Sequence, residues 1–530
     1  LSERNSLRDR LLAAVAIAAS AGALALYSRA TWPWMALGWI ALLPWLAVLD
    51  AVRTARQALL AGLAMAVAFE LAVFGWFSFA IADYAGVPAA VLVLILAIAS
   101  PILQLQFVGV ALVRTFVRRA RPGALVATVV VTAATYVATE SVTPKLFGDS
   151  LGYPLVGAVW LRQGADVTGV TGLTFVMVAV NECLYAAWCR RSSRAMLAPL
   201  ATAAALVTAL ASYGAWRCGD LAPAPDAPAV TIGLVQANLD HYDRMAEEIG
   251  RFAVVRTILD TYVADSAPAL AHADLGLLVW PETVYPTTFG KPKSEAGAAF
   301  DQEIVDFVAR ARVPLMFGAY DTDGGTEYNA AFFLAPDAGG PHPFAIYRKT
   351  RLFPLTEYVP PWLDSPWLRR ALPWLGTWSA GGGAHVIPVA TPGGTTIHVA
   401  PLICYDVLDP GVARAAAGEG ADVIVTLSND SWFAFGPGAE LHLQGATFRS
   451  IETRRPQVRA TNTGISAVID TTGRILDGAG MGKRATVVAS IVPEDRVTTL
   501  VVRWGEWLSP VAWLVTIAIV TSAWMRTRAR

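Results

Sequence analysis

The sequence predicts a polytopic α-helical membrane region joined to an α/β domain of layered sheets, and three observations carry that prediction. The 530-residue chain is 55% hydrophobic and only 15% charged, with a mean hydropathy of +0.48. That is too apolar for an ordinary soluble enzyme and long enough for two domains. Long apolar runs fill residues 11–216 and one more closes the chain, whereas short apolar strands alternate with helical stretches from Val230 onward.

The apolar runs are Leu11–Tyr27, Trp34–Leu49, Ala58–Ala82, Val87–Val113, Ala124–Thr139, Val167–Trp188, Ala195–Trp216 and Leu508–Trp524. Each approaches the ~20 residues that a bilayer core requires. The first is followed by further spans rather than by a small-residue cleavage site, which predicts a retained anchor. Arginines set the orientation: Arg4, Arg8 and Arg10 precede the first run, Arg53 and Arg56 follow the second, Arg114, Arg118, Arg119 and Arg121 the fourth, Arg190, Arg191 and Arg194 the sixth, and Arg526, Arg528 and Arg530 end the chain. By the positive-inside rule both termini are cytoplasmic and the segment before the last run is extracytoplasmic. Glu70 is the ionisable side chain near the middle of a run, where such residues usually face a bundle interior or a wet cavity. Glu140 and Glu182 sit nearer run ends, where snorkelling or pairing with arginine is expected.

The expected organisation is a membrane domain over 1–217 with about seven transmembrane helices, a Pro/Ala linker over 218–229, an extracytoplasmic domain over 230–495, and a C-terminal transmembrane helix with a basic tail over 496–530. Expected strands in the third part are VTIGLVQ from Val230, Gly276–Trp280, Pro314–Ala319, Ala330–Leu334, Ile397–Ile403, Val423–Leu427, Ser466–Ile469 and Val487–Ile491, and expected helices are Asp243–Ala264 and Ala298–Ala311.

The chemistry centres on Cys404. It ends the apolar run Ile397–Ile403, and Asp409-Pro410 reads as an N-cap and a first-turn proline, so a helix is expected just past it, ending at Gly418 and Gly420. A cysteine at a strand-to-helix elbow is open to substrate, and a helix N-terminus favours its thiolate. Alone, Cys404 equally suits a small buried core thiol. Three further segments end neighbouring strands: Glu282 in WPET, Lys349 and Glu357 in RKTRLFPLTEYVP, and Asn429 and Trp432 in SNDSWF. Loops at the ends of neighbouring strands converge. A thiol needs a base and a nearby cation to attack at neutral pH. Glu282 can take the proton, while Lys349 can lower the thiol pKa or face an oxyanion. The backbone N–H of Tyr405 is a second oxyanion donor. Glu357 either meets the amine or orients Lys349.

WPET, RKTRLFPLTEYVP, LICYD and SNDSWF, with HLQGATFRSIETRRPQVRATNTGISAVID, resemble the nitrilase (carbon–nitrogen hydrolase) superfamily. Joined to the apolar runs, and with GYPLVGAVWLRQGADVTGVTGLTF in the membrane part, they resemble its membrane-bound apolipoprotein N-acyltransferase family. That resemblance implies a nitrilase-like αββα sandwich facing the periplasm from the bacterial inner membrane and a catalytic set of Glu282, Lys349 and Cys404. It further implies transfer of a phospholipid acyl chain through a cysteine thioester to the amine of a lipoprotein's diacylglyceryl cysteine. Glu357, Tyr405, Asp406, Asn429 and Trp432 are expected around that set as substrate-binding or supporting residues. The text departs from the family's usual pattern at QANLDHYDRMAEE, at Asp406 after Cys404-Tyr405, and at Glu70.

Two other classes fit parts of the chain. A membrane-anchored amidase of the same superfamily would use water in place of an amine, and a transporter is suggested by the number of runs and Glu70, though paired broken half-helices and an internal repeat are lacking. The segment Val359–Trp378 carries Trp362, Trp367, Trp374 and Trp378 among prolines and leucines. It reads either as a packed hairpin or as an arm whose Trp362 and Trp367 form a lid in the outer leaflet. Formal net charge is zero, so nucleic acid is not an expected partner; the bilayer, a phospholipid donor and an apolipoprotein acceptor are, with the chain working as a monomer. Cys183, Cys189, Cys218 and Cys404 form no CxxC pair, and the six histidines, His442 among them, are scattered and read as structural, so no metal or cofactor is expected.

Overall fold

The computed structural model describes residues 2–190, 192–222, 224, 227–239, 242–433, 436–494 and 497–529. The chain forms two compact units, one of Leu1–Asp220, Phe435–Pro437 and Trp504–Arg530 and the other of Leu221–Ala434 and Gly438–Arg503.

Among the described residues of the first unit, six helices are long and apolar enough to cross a bilayer: Leu7–Tyr27, Trp34–Ala51, Ala55–Ala82, Leu161–Trp188, Ser193–Asp220 and Leu508–Arg528. Two expected spans differ. The run at 87–113 forms two helices, Ala89–Leu103 and Leu105–Ala120, bent by 45°. Pro101 lies in the last turn of the first, where its missing N–H and its ring weaken the helical ladder, and Gln104 leaves helical geometry at φ −126°, ψ 43°. The run at 124–139 forms a 16-residue helix, Leu125–Glu140, short of the ~20 residues of a full span.

Charged side chains inside this unit are paired. Arg114, fully buried, donates from Nε and Nη2 to Glu182 at 2.8 Å each and from Nη1 to Asp50 at 2.8 Å. Glu182 thus finds the arginine expected for it, whereas Glu140 lies 3.8 Å from Lys145. Glu70 faces the bundle interior at 3% exposure and accepts from Gln104 Nε2 at 2.7 Å.

The second unit is an αββα sandwich. Its strands are β1 (Val230–Gln236), β2 (Leu275–Val279), β3 (Tyr285–Thr288), β4 (Leu315–Asp323), β5 (Thr326–Leu334), β6 (Ala345–Arg348), β7 (Ile387–Ala390), β8 (Thr396–Ile403), β9 (Val423–Ser428), β10 (Gln457–Thr461), β11 (Ser466–Ile469), β12 (Ile475–Ala479) and β13 (Ala485–Ile491). One sheet runs β13-β1-β2-β4-β5-β6 with β3 beside β4, and the other runs β12-β11-β10-β9-β8-β7. Ile232, Leu277, Met316 and Phe333 of the first sheet pack on Val399, Val425, Leu427 and Val458 of the second. Helices Arg251–Asp265 and Glu295–Ala311 cover the outside of the first sheet, and Pro410–Gly418 and Gly438–Thr453 cover the second.

Strands β8, β9 and β10 are parallel, and β9, β10 and the Val399–Ile403 part of β8 are buried on both faces, which is why β9 and the end of β8 read as continuous apolar runs. Strand β10 carries Gln457 and Arg459, and β12 is mostly exposed, so neither shows that signal. The helix expected over 243–264 is two helices, Tyr242–Ile249 and Arg251–Asp265, separated at Gly250 with φ +84°.

Leu427 is fully buried between the sheets. Leu427→Ala is expected to cost about 2–5 kcal/mol of this unit's stability, through lost burial and the cavity left behind. A thermal midpoint of the full-length protein in detergent equal to wild type would contradict that packing.

Candidate active site

Strand β8 ends at Ile403, and Cys404 then adopts φ +47°, a left-handed backbone that costs free energy for any residue but glycine. A single 3₁₀ turn, Cys404–Leu408, follows, and the α-helix Pro410–Gly418 starts only after it, capped by Asp409, which accepts from the Gly411 N–H at 2.7 Å. This corrects the expectation of an α-helix directly behind the cysteine. Two bonding systems hold the elbow. Asp406, fully buried, accepts from the N–H groups of Ile403 at 2.9 Å, Thr350 at 3.1 Å and Arg351 at 2.6 Å and from the Tyr347 hydroxyl at 2.9 Å. It ties the loop after β6, which carries Lys349, to the elbow after β8. Burial raises the Asp406 pKa to about 6 against the opposing pull of these donors. On the other side His442 Nε2 lies 3.0 Å from the Cys404 carbonyl oxygen.

The loops after β2 and β6 bring Glu282 and Lys349 together with Glu357. Lys349, 1% exposed, donates from Nζ to Glu282 Oε1 at 3.2 Å and to Glu357 Oε1 at 2.7 Å. Glu282 is further held by Asn329 Nδ2 at 2.7 Å and by the Asn429 N–H at 2.8 Å, while Glu357 Oε2 accepts from the Phe353 N–H at 2.6 Å. The bond to Lys349 suits the orienting job, one of the two open to Glu357 from sequence. Burial opposes the charge on Lys349, but Cys404, Glu282 and Glu357 raise its pKa well above the ordinary value. Burial also pushes the Cys404 thiol well above its ordinary range, Glu282 adds to the rise and Lys349 works against it. Burial thus opposes the thiolate that Lys349 favours.

The remaining expected residues have separate places. Asn429 contributes its backbone N–H to Glu282, and its Oδ1 accepts from Asn462 Nδ2 at 3.3 Å. The Tyr405 ring packs at 4.9 Å on Phe353. The side chain of Trp432 lies outside the described residues. Within Val359–Trp378, Trp378 packs on Tyr320 at 4.6 Å, whereas Trp362 and Trp367 are 84% and 69% exposed around the short helix Pro366–Ala371.

Sequence reasoning missed Asn329, Asp430 and Arg459, and took His442 for a structural histidine. Asn329 sits in β5, 2.7 Å from Glu282 and 3.5 Å from Glu357, and an amide inside the strand text TEYNAAFFL was its only signal. Arg459 Nη2 donates to Asp430 Oδ2 at 2.8 Å, with His442 Nδ1 at 3.0 Å from both groups. An arginine inside the strand QVRAT announced that group. Ligand atoms of Cys404, Asp430 and His442 lie within 4.8 Å of one another. Both ring nitrogens are already engaged and Arg459 holds Asp430, so a cation there would have to displace a guanidinium and break the bond to the Cys404 carbonyl.

Comparison with known proteins adds the following. A model of the carbon–nitrogen hydrolase family matches residues 231–499, and one of the apolipoprotein N-acyltransferase N-terminal domain matches residues 21–183. The chain is 27% identical to an apolipoprotein N-acyltransferase of Bdellovibrio bacteriovorus over 501 residues, covering 92% of this chain and 89% of that protein. It is 31% identical to one of Bradyrhizobium diazoefficiens over 398 residues, covering 72% and 70%.

A buried thiol with a raised pKa predicts that alkylation of Cys404 by iodoacetamide keeps accelerating with pH beyond about 9, above the ~8.5 of a free thiol. A rate that levels off near neutrality would show a thiolate already formed.

Proposed function

Because the chain belongs to the apolipoprotein N-acyltransferase family of carbon–nitrogen hydrolases, we propose that Cys404 carries the acyl group in transit and that Glu282 and Lys349 serve it. The protein is a membrane-bound acyltransferase of lipoprotein biosynthesis. In the first half-reaction Glu282 takes the Cys404 proton as the sulfur attacks a phospholipid ester carbonyl, and negative charge gathers on the carbonyl oxygen. Lys349 and the Tyr405 N–H face that oxygen. Collapse breaks the carbon–oxygen bond, the leaving lysophospholipid oxygen receives the proton from Glu282, and a thioester remains. In the second half-reaction the amine of a diacylglyceryl cysteine attacks the thioester, Glu282 takes an amine proton, and collapse returns the sulfur, reprotonated, with an amide as product.

The observation that carries this reading is the buried ring of Glu282, Lys349 and Glu357 set against the thiol at the end of β8. Burial raises the thiol pKa, which favours a base acting within the step, and Glu282, held at both oxygens, fits that task. Asp406 and Asn429 keep the Lys349 loop and Glu282 in place, and Trp432 follows in the same segment.

The proposal extends to topology and access. The arginine bias supports a catalytic unit on the periplasmic side of the inner membrane, and the zero formal charge offers nothing to attract nucleic acid. Trp362 and Trp367 are exposed beside Asp364, Arg369 and Arg370, and exposed tryptophans favour the lipid–water interface. We assign them to an arm that admits the diacyl lipid and shields the thioester from water.

Incubation of the full-length protein with phospholipid should add one acyl mass to Cys404, and Cys404→Ser and Glu282→Gln should each abolish it; an unchanged rate of adduct formation in Glu282→Gln would remove Glu282 as the base. Trp362→Ser/Trp367→Ser should slow acylation by long-chain phospholipid far more than alkylation by iodoacetamide. Equal losses in the two reactions would mean that the arm only supports the fold.

A further inference from the structure

The chemistry of Cys404 leaves a buried group behind it unused. His442 comes from the helix Gly438–Thr453 and is 1% exposed. Its Nε2 lies 3.0 Å from the Cys404 carbonyl oxygen, and a carbonyl only accepts, so Nε2 carries a proton and donates it. Across the ring, Nδ1 lies 3.0 Å from both Arg459 Nη2, a donor, and Asp430 Oδ1, an acceptor. The Cys404 carbonyl is thus what fixes a proton on Nε2. Arg459 is in turn locked by Asp430 at 2.8 Å, whose other oxygen accepts from the Ser428 hydroxyl at 2.7 Å and lies 3.0 Å from Nδ1. Burial and Arg459 lower the His442 pKa below its ordinary value against the opposing pull of Asp430 and of the bond to the Cys404 carbonyl.

A trans peptide is planar, so its C=O and the next residue's N–H point to opposite edges. A donor that fixes the Cys404 carbonyl also fixes the Tyr405 N–H. We propose that His442 is a positioning residue for acyl transfer: by holding the Cys404 carbonyl it aims the Tyr405 N–H at the oxyanion of both tetrahedral intermediates. This rests on the thioester reading of Cys404 and adds to it the device that sets the backbone half of the oxyanion site.

Two physical consequences follow from the same bond. Cys404 sits at φ +47°, and a hydrogen bond to its carbonyl offsets part of the cost of that left-handed backbone. A carbonyl that accepts a hydrogen bond also polarises its peptide, which makes the adjoining N–H a stronger donor. Asp430 and Arg459 hold the ring from its Nδ1 side, and the Asp430 carboxylate lies within 4.8 Å of the Cys404 sulfur.

The test separates the oxyanion from the thiol. Alkylation by iodoacetamide displaces iodide at a saturated carbon and forms no oxyanion, whereas acylation by phospholipid does. His442→Phe keeps a ring in the site and removes the donor. It is expected to slow phospholipid-dependent acylation of Cys404 on the order of 100-fold while alkylation proceeds at the wild-type rate. His442→Gln, whose amide N–H can reach the same carbonyl, should recover most of the loss. Acylation at the wild-type rate in His442→Phe, or equal losses in acylation and alkylation, would overturn the inference. If His442→Phe does not fold, His442→Asn, polar but too short to reach the Cys404 carbonyl, is read by the same two rates and the same criteria. A wild-type protein that forms no thioester removes the reading of Cys404 itself, whereas the outcomes above remove the role of His442 alone.

Discussion

One buried ammonium between two carboxylates is the constraint on which the catalytic unit depends. Taking three charged groups out of water costs several kcal/mol per ion unless each is paired and hydrogen-bonded. Lys349 is paired twice, at 3.2 Å to Glu282 and 2.7 Å to Glu357. The other oxygens of those carboxylates are met by the N–H groups of Asn429 and Phe353, and Asn329 adds a donor to the Glu282 oxygen that Lys349 already holds. Glu282 leaves one sheet, Lys349 follows another strand of the same sheet, and Asn429 leaves the second sheet. The site forms only when the two sheets are packed face to face.

The elbow at Cys404 answers the same constraint from the other side. Burial beside Glu282 raises the Cys404 thiol pKa, which works against a standing thiolate. The protein spends no helix N-terminus on activating the sulfur. It uses the space behind β8 for Asp406, which binds the Lys349 loop to the elbow, and for His442, which holds the Cys404 carbonyl. Gly318 shows how tightly this is built: a Cβ there would lie 2.6 Å from the Glu282 Cα, so the strand beside Glu282 has no room for a side chain.

In the membrane unit the same physics places charge only where partners exist. Arg114 satisfies Glu182 and Asp50 together, and Gln104, freed where the helix bends, donates to both Glu70 and Asp149. The bend at 104 and the ionisable residue at 70 are two parts of one arrangement, since an amide at an unwound position can bridge carboxylates that a continuous helix would leave apart.

The sequence by itself determined the membrane region, the strands buried on both faces and the residues with chemistry to do. Long apolar runs, continuous β-branched stretches such as those of β8 and β9, and the neighbours of Cys404, Lys349 and Glu282 in the text all carry local signals. It did not determine what depends on residues far apart in the chain. The state of the Cys404 proton is set by burial and by a glutamate more than a hundred positions away, and His442 read as a structural histidine because its partners, Asp430 and Arg459, meet it only when β9, β10 and their covering helix pack. Periodicity records which face of an element is buried, but an electrostatic environment belongs to the assembled pocket, and only the tertiary structure decides it.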